Sequence, residues 1–324
     1  MASIPGKQAE GHCAGNRKAM ILKYPYYYDI ILSDFGRAAA IEYIKSVAEL
    51  EQRTLQRHFL DKGTEFYDEY RRIMFSVIAD LGYFKNRQIS AAVPKGKLDS
   101  SILIGFNGKG VPGDIRERIT IAIAEQVYLA LNRGYTNIRI IIPCNTISPM
   151  GHYIHDMIRN PEDFKAIIIR NCGVIASSPV FSLLAGAKFS LYTPPALVID
   201  EIRKANAVRV SILVFGTPVT VEIYKSLISQ LGLKDQLVVL PLESGEQDLV
   251  NRVIEAAISG DTALSDSIKQ EIRDHIILPR QNLAGDLRVI EACTDIRLGL
   301  GINSLDVMVA RSVNDAYGIG GSGI

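Results

Sequence analysis

Ile138-Arg139-Ile140-Ile141-Ile142-Pro143-Cys144-Asn145-Thr146 is the stretch around which the chain is organised. Its isoleucine-rich first half is typical of a strand that is buried on both faces in a parallel sheet. Pro143 ends the strand, and Ser148 and Pro149 are suitable as the N-cap and first residue of a helix. Cys144 is therefore predicted between a strand end and a helix start, where open α/β sheets bind their ligands.

A second cysteine follows the same pattern late in the chain, in Arg288-Val289-Ile290-Glu291-Ala292-Cys293-Thr294-Asp295. An apolar run is again followed by a cysteine and then by a hydroxyl residue. A single cysteine beside a buried strand is most often an apolar filler. Two thiols at strand ends, each followed by groups that can bind a carboxylate, indicate a function. We predict two lobes that each bring one cysteine to a shared cleft, with no disulfide between them.

The composition predicts a soluble, cytoplasmic protein. The chain of 324 residues has 36 basic and 35 acidic residues, so we expect neither a nucleic-acid partner nor a membrane partner. No apolar run approaches the roughly 20 residues that span a bilayer, and the first 23 residues lack a signal-peptide core. The four cysteines are widely spaced and form no CxxC, so the sequence predicts no disulfide framework and no zinc site.

Predicted strands alternate with predicted helices, which favours an α/β fold of two pseudo-symmetric, doubly wound lobes with parallel sheets. The main expected strands are residues 26–32, 101–106 and 138–142 in the first lobe and 208–215, 236–240 and 289–292 in the second. Residues 41–81 are predicted to form long helices broken at Gly63, and residues 166–169 a short strand. We assign residues 1–23 to a flexible leader, 24–160 and 303–324 to the first lobe, and 161–302 to the second.

Gly108-Lys109-Gly110-Val111-Pro112-Gly113 has the GxGxxG spacing of a dinucleotide-binding loop. That interpretation also needs an acid at the end of the next strand, to hold the ribose. The next strand ends in Pro143-Cys144 instead, and Pro112 lacks an amide that could face a pyrophosphate. We therefore favour a glycine-rich loop that lines the cleft.

Together these motifs resemble those of the aspartate/glutamate racemase family. The residues around Cys144 and Cys293 resemble its two cysteine motifs. Further motifs follow in the family order: Ser33-Asp34-Phe35-Gly36, Val111-Pro112-Gly113, Gly216-Thr217 with Thr220, and Val239-Leu240-Pro241-Leu242-Glu243. The resemblance covers about residues 28–318. Asp295 stands where the family has His or Glu, which leaves the side chain of the substrate open.

The resemblance implies an isomerase, an amino-acid racemase that needs neither pyridoxal phosphate nor any other cofactor or metal. Cys144 and Cys293 would be the two bases that invert the α-carbon in the cleft between the lobes, with Asp34 serving Cys144, and Asp295 or Glu243 serving Cys293. The substrate is expected to be a small amino acid or dicarboxylic acid. The groups expected to bind it are Gly36, Val111, Pro112, Gly113, Asn145, Thr146, Thr217, Thr220 and Thr294.

Alternatives remain at this stage. An enzyme of the same fold that isomerises maleate or racemises hydantoins would use the same thiols. A two-lobe sensor of small acids would keep the cleft but has no need of both cysteines. Asp34 and Glu243 could instead cap loop ends, and a homodimer is left open. Cys172 lacks a comparable context and is assigned a structural role.

Overall fold

The computed structural model describes residues 27–32, 37–59, 74–79, 113–145, 147–205, 209–284, 286–293 and 297–317. These residues form two four-stranded sheets, and every strand pair in both sheets is parallel. The α/β class with parallel sheets that the sequence predicted is therefore confirmed. Within the described ranges, no helix has the length and apolar content required to cross a membrane.

The first sheet has the strand order β2-β1-β3-β4. Its strands are β1 Tyr27–Leu32, β2 Met74–Ala79, β3 Asn137–Ile141 and β4 Lys188–Tyr192. The two central strands are buried on both faces, as the isoleucine-rich stretch predicted, because consecutive residues from 28 to 32 and from 138 to 141 are all buried.

The second sheet has the strand order β6-β5-β7-β8. Its strands are β5 Val210–Phe215, β6 Leu237–Val239, β7 Leu287–Glu291 and β8 Ile302–Asn303. The strands predicted for the second lobe near residues 212, 238 and 290 are thus confirmed. In both sheets the carboxyl ends of the strands lie along one edge, since all neighbours are parallel.

Helices cover both faces of each sheet. In chain order they are α1 Arg37–Phe59, α2 Gly113–Asn132, α3 Met150–Arg159, α4 Pro161–Cys172, α5 Val180–Leu184, α6 Pro194–Ala205, α7 Pro218–Gln230, α8 Ser244–Ser259, α9 Thr262–Ile272, α10 Leu278–Ala284 and α11 Ser304–Tyr317, with a π-helical turn Arg273–Ile277 between α9 and α10. In the first lobe, α2 to α5 pack on one face of the sheet and α1 and α11 on the other. In the second, α6 and α7 cover one face, and α8 and α9 the other.

Two predicted elements are wrong. Residues 41–81 are not helical throughout, because α1 ends at Phe59 and Met74–Ala79 is strand β2, which pairs with β1 along its whole length. Residues 166–169 lie within α4, whose start is capped by the Asn160 side chain and whose end is marked by Gly173 in the left-handed conformation. In both places the period of a short apolar run was ambiguous, and distant pairing or capping decided the outcome. The strand predicted at 101–106 lies outside the described residues.

The division into lobes also differs from the predicted one. Residues 161–192 were assigned to the second lobe, but β4 pairs with β3, and α4 and α5 pack into the core of the first lobe. The chain therefore crosses to the second lobe only after Tyr192. Helix α11 returns to pack against α1 and the first sheet, whereas the short strand β8 just before it still belongs to the second sheet.

Candidate functional site

Cys144 lies just beyond the end of β3. The amide of Ile142 still donates to the Tyr192 carbonyl at 2.9 Å, so the sheet pairing continues to two residues before the thiol. Cys144 is 9% exposed and belongs to the apolar cluster of the first lobe. Its carbonyl accepts a hydrogen bond from the Ser148 hydroxyl at 3.1 Å, which closes the turn that leads into α3. The thiol thus occupies the strand-to-helix position that the sequence predicted.

Asn145, the next residue, forms a buried bridge between the lobes. Its Nδ2 donates to the Ser304 hydroxyl at 3.0 Å, and its Oδ1 accepts from the Tyr224 hydroxyl at 3.3 Å. Asn145 is only 2% exposed, and Tyr224 is fully buried, which raises the pKa of its phenol. Asn145 was predicted to bind substrate; in the structure its amide group is bonded to the start of α11 and to helix α7 of the second lobe.

Cys293 has the matching position in the second lobe. It follows β7, and the amide of Ala292 donates to the Phe215 carbonyl at 2.8 Å, so the pairing with β5 extends to the residue before the thiol. Cys293 is half-buried and packs against the apolar cluster beneath α8 and α9. A Cβ atom placed on Gly216 would lie 3.4 Å from the Ala292 side chain. The turn that begins α7 therefore lies against the segment that carries Cys293.

Thr217 and Thr220 form the start of α7. Thr217 is the N-cap, and its Oγ1 accepts from the Thr220 amide at 3.3 Å. The two hydroxyl groups also share a hydrogen bond of 3.0 Å. Thr217 is exposed whereas Thr220 is buried. Both were predicted to bind substrate, and the contacts seen in the structure are those of a helix cap.

Glu243 is exposed at the start of α8. Its amide donates to the Glu246 carboxylate at 2.8 Å, and Glu246 also binds Arg280 at 2.6 Å. Burial alone would raise the pKa of Glu246, but the hydrogen bonds from Arg280 and from the Glu243 amide hold it below its ordinary value. Gln247 donates to the Gly216 carbonyl at 3.0 Å, which connects this turn to the start of α7. The Glu246 side chain, rather than that of Glu243, caps the helix.

Sequence reasoning missed Glu291, the last residue of β7. It is 2% exposed, and its carboxylate accepts hydrogen bonds from the amides of Leu298 at 3.0 Å, Leu300, and Gly301 at 3.0 Å, and from the Asn303 side chain at 3.3 Å. A carboxylate that directly follows the apolar pair Val289 and Ile290, two residues before the cysteine, was the signal that could have revealed it.

Several predicted site residues lie outside the described residues: Asp34, Gly36, Val111, Pro112, Thr146, Thr294 and Asp295. Gly113 is the first residue of α2. Among the described residues, Cys144, Cys172 and Cys293 form no disulfide bond, and no three His, Cys, Asp or Glu side chains cluster as a metal site would require. Burial, with a smaller contribution from Glu125, raises the pKa of Cys172, which disfavours its thiolate.

The contacts form a continuous path from one cysteine segment to the other. Asn145, beside Cys144, is bonded to Tyr224 on α7, and Gly216, just before the N-cap of α7, lies close to Ala292, beside Cys293. Asn145 is also bonded to Ser304, which directly follows the strand paired with β7. The structure thus connects the ends of the two cysteine-bearing strands, one from each sheet.

No model of a known protein family matches this chain, and no curated protein matches it either. Among solved structures, it is similar to an aspartate racemase homologue from Pyrococcus horikoshii OT3, with a TM-score of 0.51 and 15% identity over 90% of this chain and 99% of that chain. It is also similar to the aspartate racemase of Picrophilus torridus, with a TM-score of 0.45 and 16% identity over 90% of this chain and 94% of that chain. At such identities the first of these establishes a shared α/β fold.

Proposed function

We propose that this protein is a cofactor-independent amino-acid racemase in which Cys144 and Cys293 are the two bases. The observation that carries the proposal is the arrangement of the two cysteine segments. Each cysteine follows a buried strand of a different sheet, and the Asn145 bridge to α7 together with Gly216, which precedes α7 and lies close to Ala292, connects the two strand ends. The motifs around both cysteines, which resemble those of aspartate/glutamate racemases, support the same reaction.

The chemistry needs one base on each side of the substrate. One cysteine, as thiolate, takes the α-proton, and the electron pair is left on the α-carbon next to the carboxylate. The other cysteine, as thiol, returns a proton to the opposite face and becomes the thiolate. The enzyme then holds the opposite protonation pattern, which is reset by exchange with solvent or by a turnover in the reverse direction. The starts of α3 and α7 follow or adjoin the two thiols, and a helix start favours a nearby thiolate.

The remaining roles are assigned from the sequence motifs. Asp34 would orient or shuttle the proton of Cys144, and Asp295 or Glu243 that of Cys293. The carboxylate of the substrate would be held by side chains and amides of the strand-end loops, which stabilise charge as the α-proton leaves. The start of α7 is favoured for this role because Thr217 is exposed there, beside the Cys293 segment.

The substrate class that we propose is a small amino acid or dicarboxylic acid, with aspartate and glutamate first. The residue motifs carry this choice, and the solved structure with the shared fold is described as an aspartate racemase homologue. The family has His or Glu at the position of Asp295. This difference bears on which substrate side chain is accepted, and not on the two-base step.

The test is a screen of L- and D-amino acids in heavy water, followed by NMR. The α-proton signal of a substrate should disappear, because deuterium from the solvent replaces that proton. The variant Cys172→Ser should do the same, because Cys172 is assigned no role in catalysis. Conversion of maleate or of a hydantoin without exchange of any amino acid would replace this proposal with another reaction of the same fold. Binding of a small acid without any turnover would instead indicate a sensor.

A further inference from the structure

We propose that Glu291 is a positioning residue for Cys293. Its buried carboxylate binds the segment that returns to the sheet after the thiol, and so holds Cys293 in position. The hydrogen bonds to Glu291 do not depend on what the protein does, whereas their effect on catalysis rests on the proposed function. Glu291 is two residues before Cys293, at the point where β7 ends. It contributes no reacting group in this proposal and acts by holding the loop.

Both ends of the loop meet at Glu291. The chain leaves β7 after this residue, passes Cys293 and returns as β8, where Asn303 pairs with Glu291 in parallel register. The carboxylate binds the returning segment. It accepts hydrogen bonds from the amides of Leu298, Leu300 and Gly301 and from the side chain of Asn303. Several N–H donors converge on one buried carboxylate, which is the arrangement that offsets the cost of removing its charge from water.

The segment that returns to β7 at Gly301 has little freedom to take another path. A Cβ atom on Gly301 would lie 2.3 Å from the Val289 carbonyl oxygen, a distance that no side chain tolerates. The returning segment therefore lies directly on β7, and glycine is needed at this position. An alanine here should push the segment away from the strand while leaving the Glu291 carboxylate intact.

Cys293 shares its packing with the residues that Glu291 holds. Leu298 is a buried member of the apolar cluster against which Cys293 and Leu300 pack. Displacement of the Leu298 segment would therefore change the surface that supports the thiol. Because a shift of about 1 Å in a reacting group can cost a hundredfold in rate, such a displacement should be visible in proton transfer by Cys293.

The first lobe holds the same loop from the other side. Arg297 binds Glu42 at 2.8 Å and the Ser46 hydroxyl at 2.8 Å, both on α1, and Asp306 at 2.8 Å. The residue next to Leu298 is thus connected to the lobe that carries Cys144. Glu291 thus holds the returning segment on the second sheet, and Arg297 connects the same segment to the first lobe.

The main experiment compares Glu291→Gln with the unaltered protein on L- and D-β-chloroalanine. In this reaction the α-proton passes to a thiolate, a carbon–carbon double bond forms, and chloride leaves with the electrons of the C–Cl bond, so one base suffices. The enantiomer that depends on Cys293 is the one still eliminated by Cys144→Ser. Glu291→Gln should slow elimination of that enantiomer by about tenfold to a hundredfold, with the other enantiomer nearly unaffected.

Two further variants separate position from charge. Gly301→Ala keeps the carboxylate and should show the same enantiomer-selective loss as Glu291→Gln. Asp315→Asn removes a carboxylate that also accepts side-chain hydrogen bonds, from Arg311 and Tyr192 in the first lobe, and should leave elimination of both enantiomers unchanged. Equal slowing of both enantiomers by Glu291→Gln would mean general destabilisation and would overturn the proposal.

A measurement without substrate keeps this inference separate from the proposed function. In Glu291→Gln the amides of Leu298, Leu300 and Gly301 should exchange with heavy water at least about tenfold faster, since one acceptor oxygen is replaced by an NH2 donor and the remaining oxygen is an uncharged, weaker acceptor. The pH profile of Cys293 alkylation by iodoacetamide, read by peptide mass spectrometry, should change while that of Cys172 does not. If the protein turns over no amino acid, the proposed racemase activity is refuted. Faster amide exchange and a changed alkylation profile would still support the positioning role of Glu291. Unchanged exchange and alkylation would refute the positioning role whatever the activity.

Discussion

At the scale of single residues, the two strand-end cysteines are proposed to divide the work on one α-carbon. Their surroundings differ: Cys144 is 9% exposed within the first-lobe cluster, whereas Cys293 is half-buried on a loop. Each thiol is tied to a different set of neighbours, so substitutions at the two positions should differ in kind and not only in size.

We expect Cys144→Ser and Cys293→Ser each to abolish nearly all racemisation, because a serine hydroxyl is a far poorer base than a thiolate at neutral pH. Each variant keeps one working base. With β-chloroalanine, one variant should therefore eliminate chloride only from the L form and the other only from the D form. Steady-state rates and chloride release measure this.

The matched control for both substitutions is Cys172→Ser, which should keep normal racemisation. Near-normal racemisation in both single variants, or the same enantiomer preference in both, would contradict the two-base mechanism.

At the scale of elements, a buried ion pair joins the central strands to the C-terminal helix. Arg139 on β3 lies opposite Asp29 on β1 and forms two hydrogen bonds to its carboxylate, of 2.6 and 2.7 Å. It also donates to the Ser312 carbonyl of α11 at 2.6 Å, and the Tyr27 ring lies 4.4 Å from its guanidinium carbon. These contacts explain how an arginine is accommodated in an isoleucine-rich, buried strand.

Removal of one partner should be more harmful than removal of both. Arg139→Met leaves the Asp29 carboxylate buried without its cation, and should lower the free energy of unfolding by about 3–5 kcal/mol. The double variant Asp29→Leu with Arg139→Met should recover most of that loss. Urea unfolding followed by circular dichroism measures both.

The control for this prediction is Lys269→Met, which breaks an ion pair with Asp266 on the outside of α9. It should change stability by less than about 1 kcal/mol. A double variant as unstable as the single one would contradict the prediction, because the loss would then come from the missing ion pair itself and not from a buried carboxylate without its cation.

At the scale of the whole molecule, the two lobes are joined beside the candidate site. Tyr224 and Ser304 hold the two ends of the Asn145 amide, all three residues being buried. This hydrogen-bonded bridge connects the two lobes and does not position one cysteine only. A change in it should alter the relation between the lobes and thus affect both directions of proton transfer.

Tyr224→Phe removes only the hydroxyl that donates to Asn145. One buried hydrogen bond contributes about 1 kcal/mol, so the rate of racemisation should fall, by up to roughly fivefold. Elimination from L- and D-β-chloroalanine should fall by similar factors, in contrast to the selective effect expected for Glu291→Gln. Tyr128→Phe, at a half-buried position on α2, serves as the control. Normal rates with Tyr224→Phe would show that the bridge is not needed for catalysis.

Much of the fold followed from local patterns. The buried strand before Cys144, the strands of the second sheet and the alternation with helices were predictable, because apolar periodicity and the signals of Pro and Gly act within a few residues. The positions of both cysteines at strand ends followed for the same reason.

Other features depend on residues far apart in the chain. Met74–Ala79 is a strand because β1 is available to pair with it, and β4 extends the first sheet although the predicted boundary had placed it in the second lobe. The Asn145 bridge unites residues 145, 224 and 304, and Glu291 meets its donors only after the loop returns. Sequence patterns alone therefore established the class of fold and the two strand-end thiols. The buried contacts that join the lobes arise only on folding, since a hydrogen bond between distant residues has no local period to reveal it.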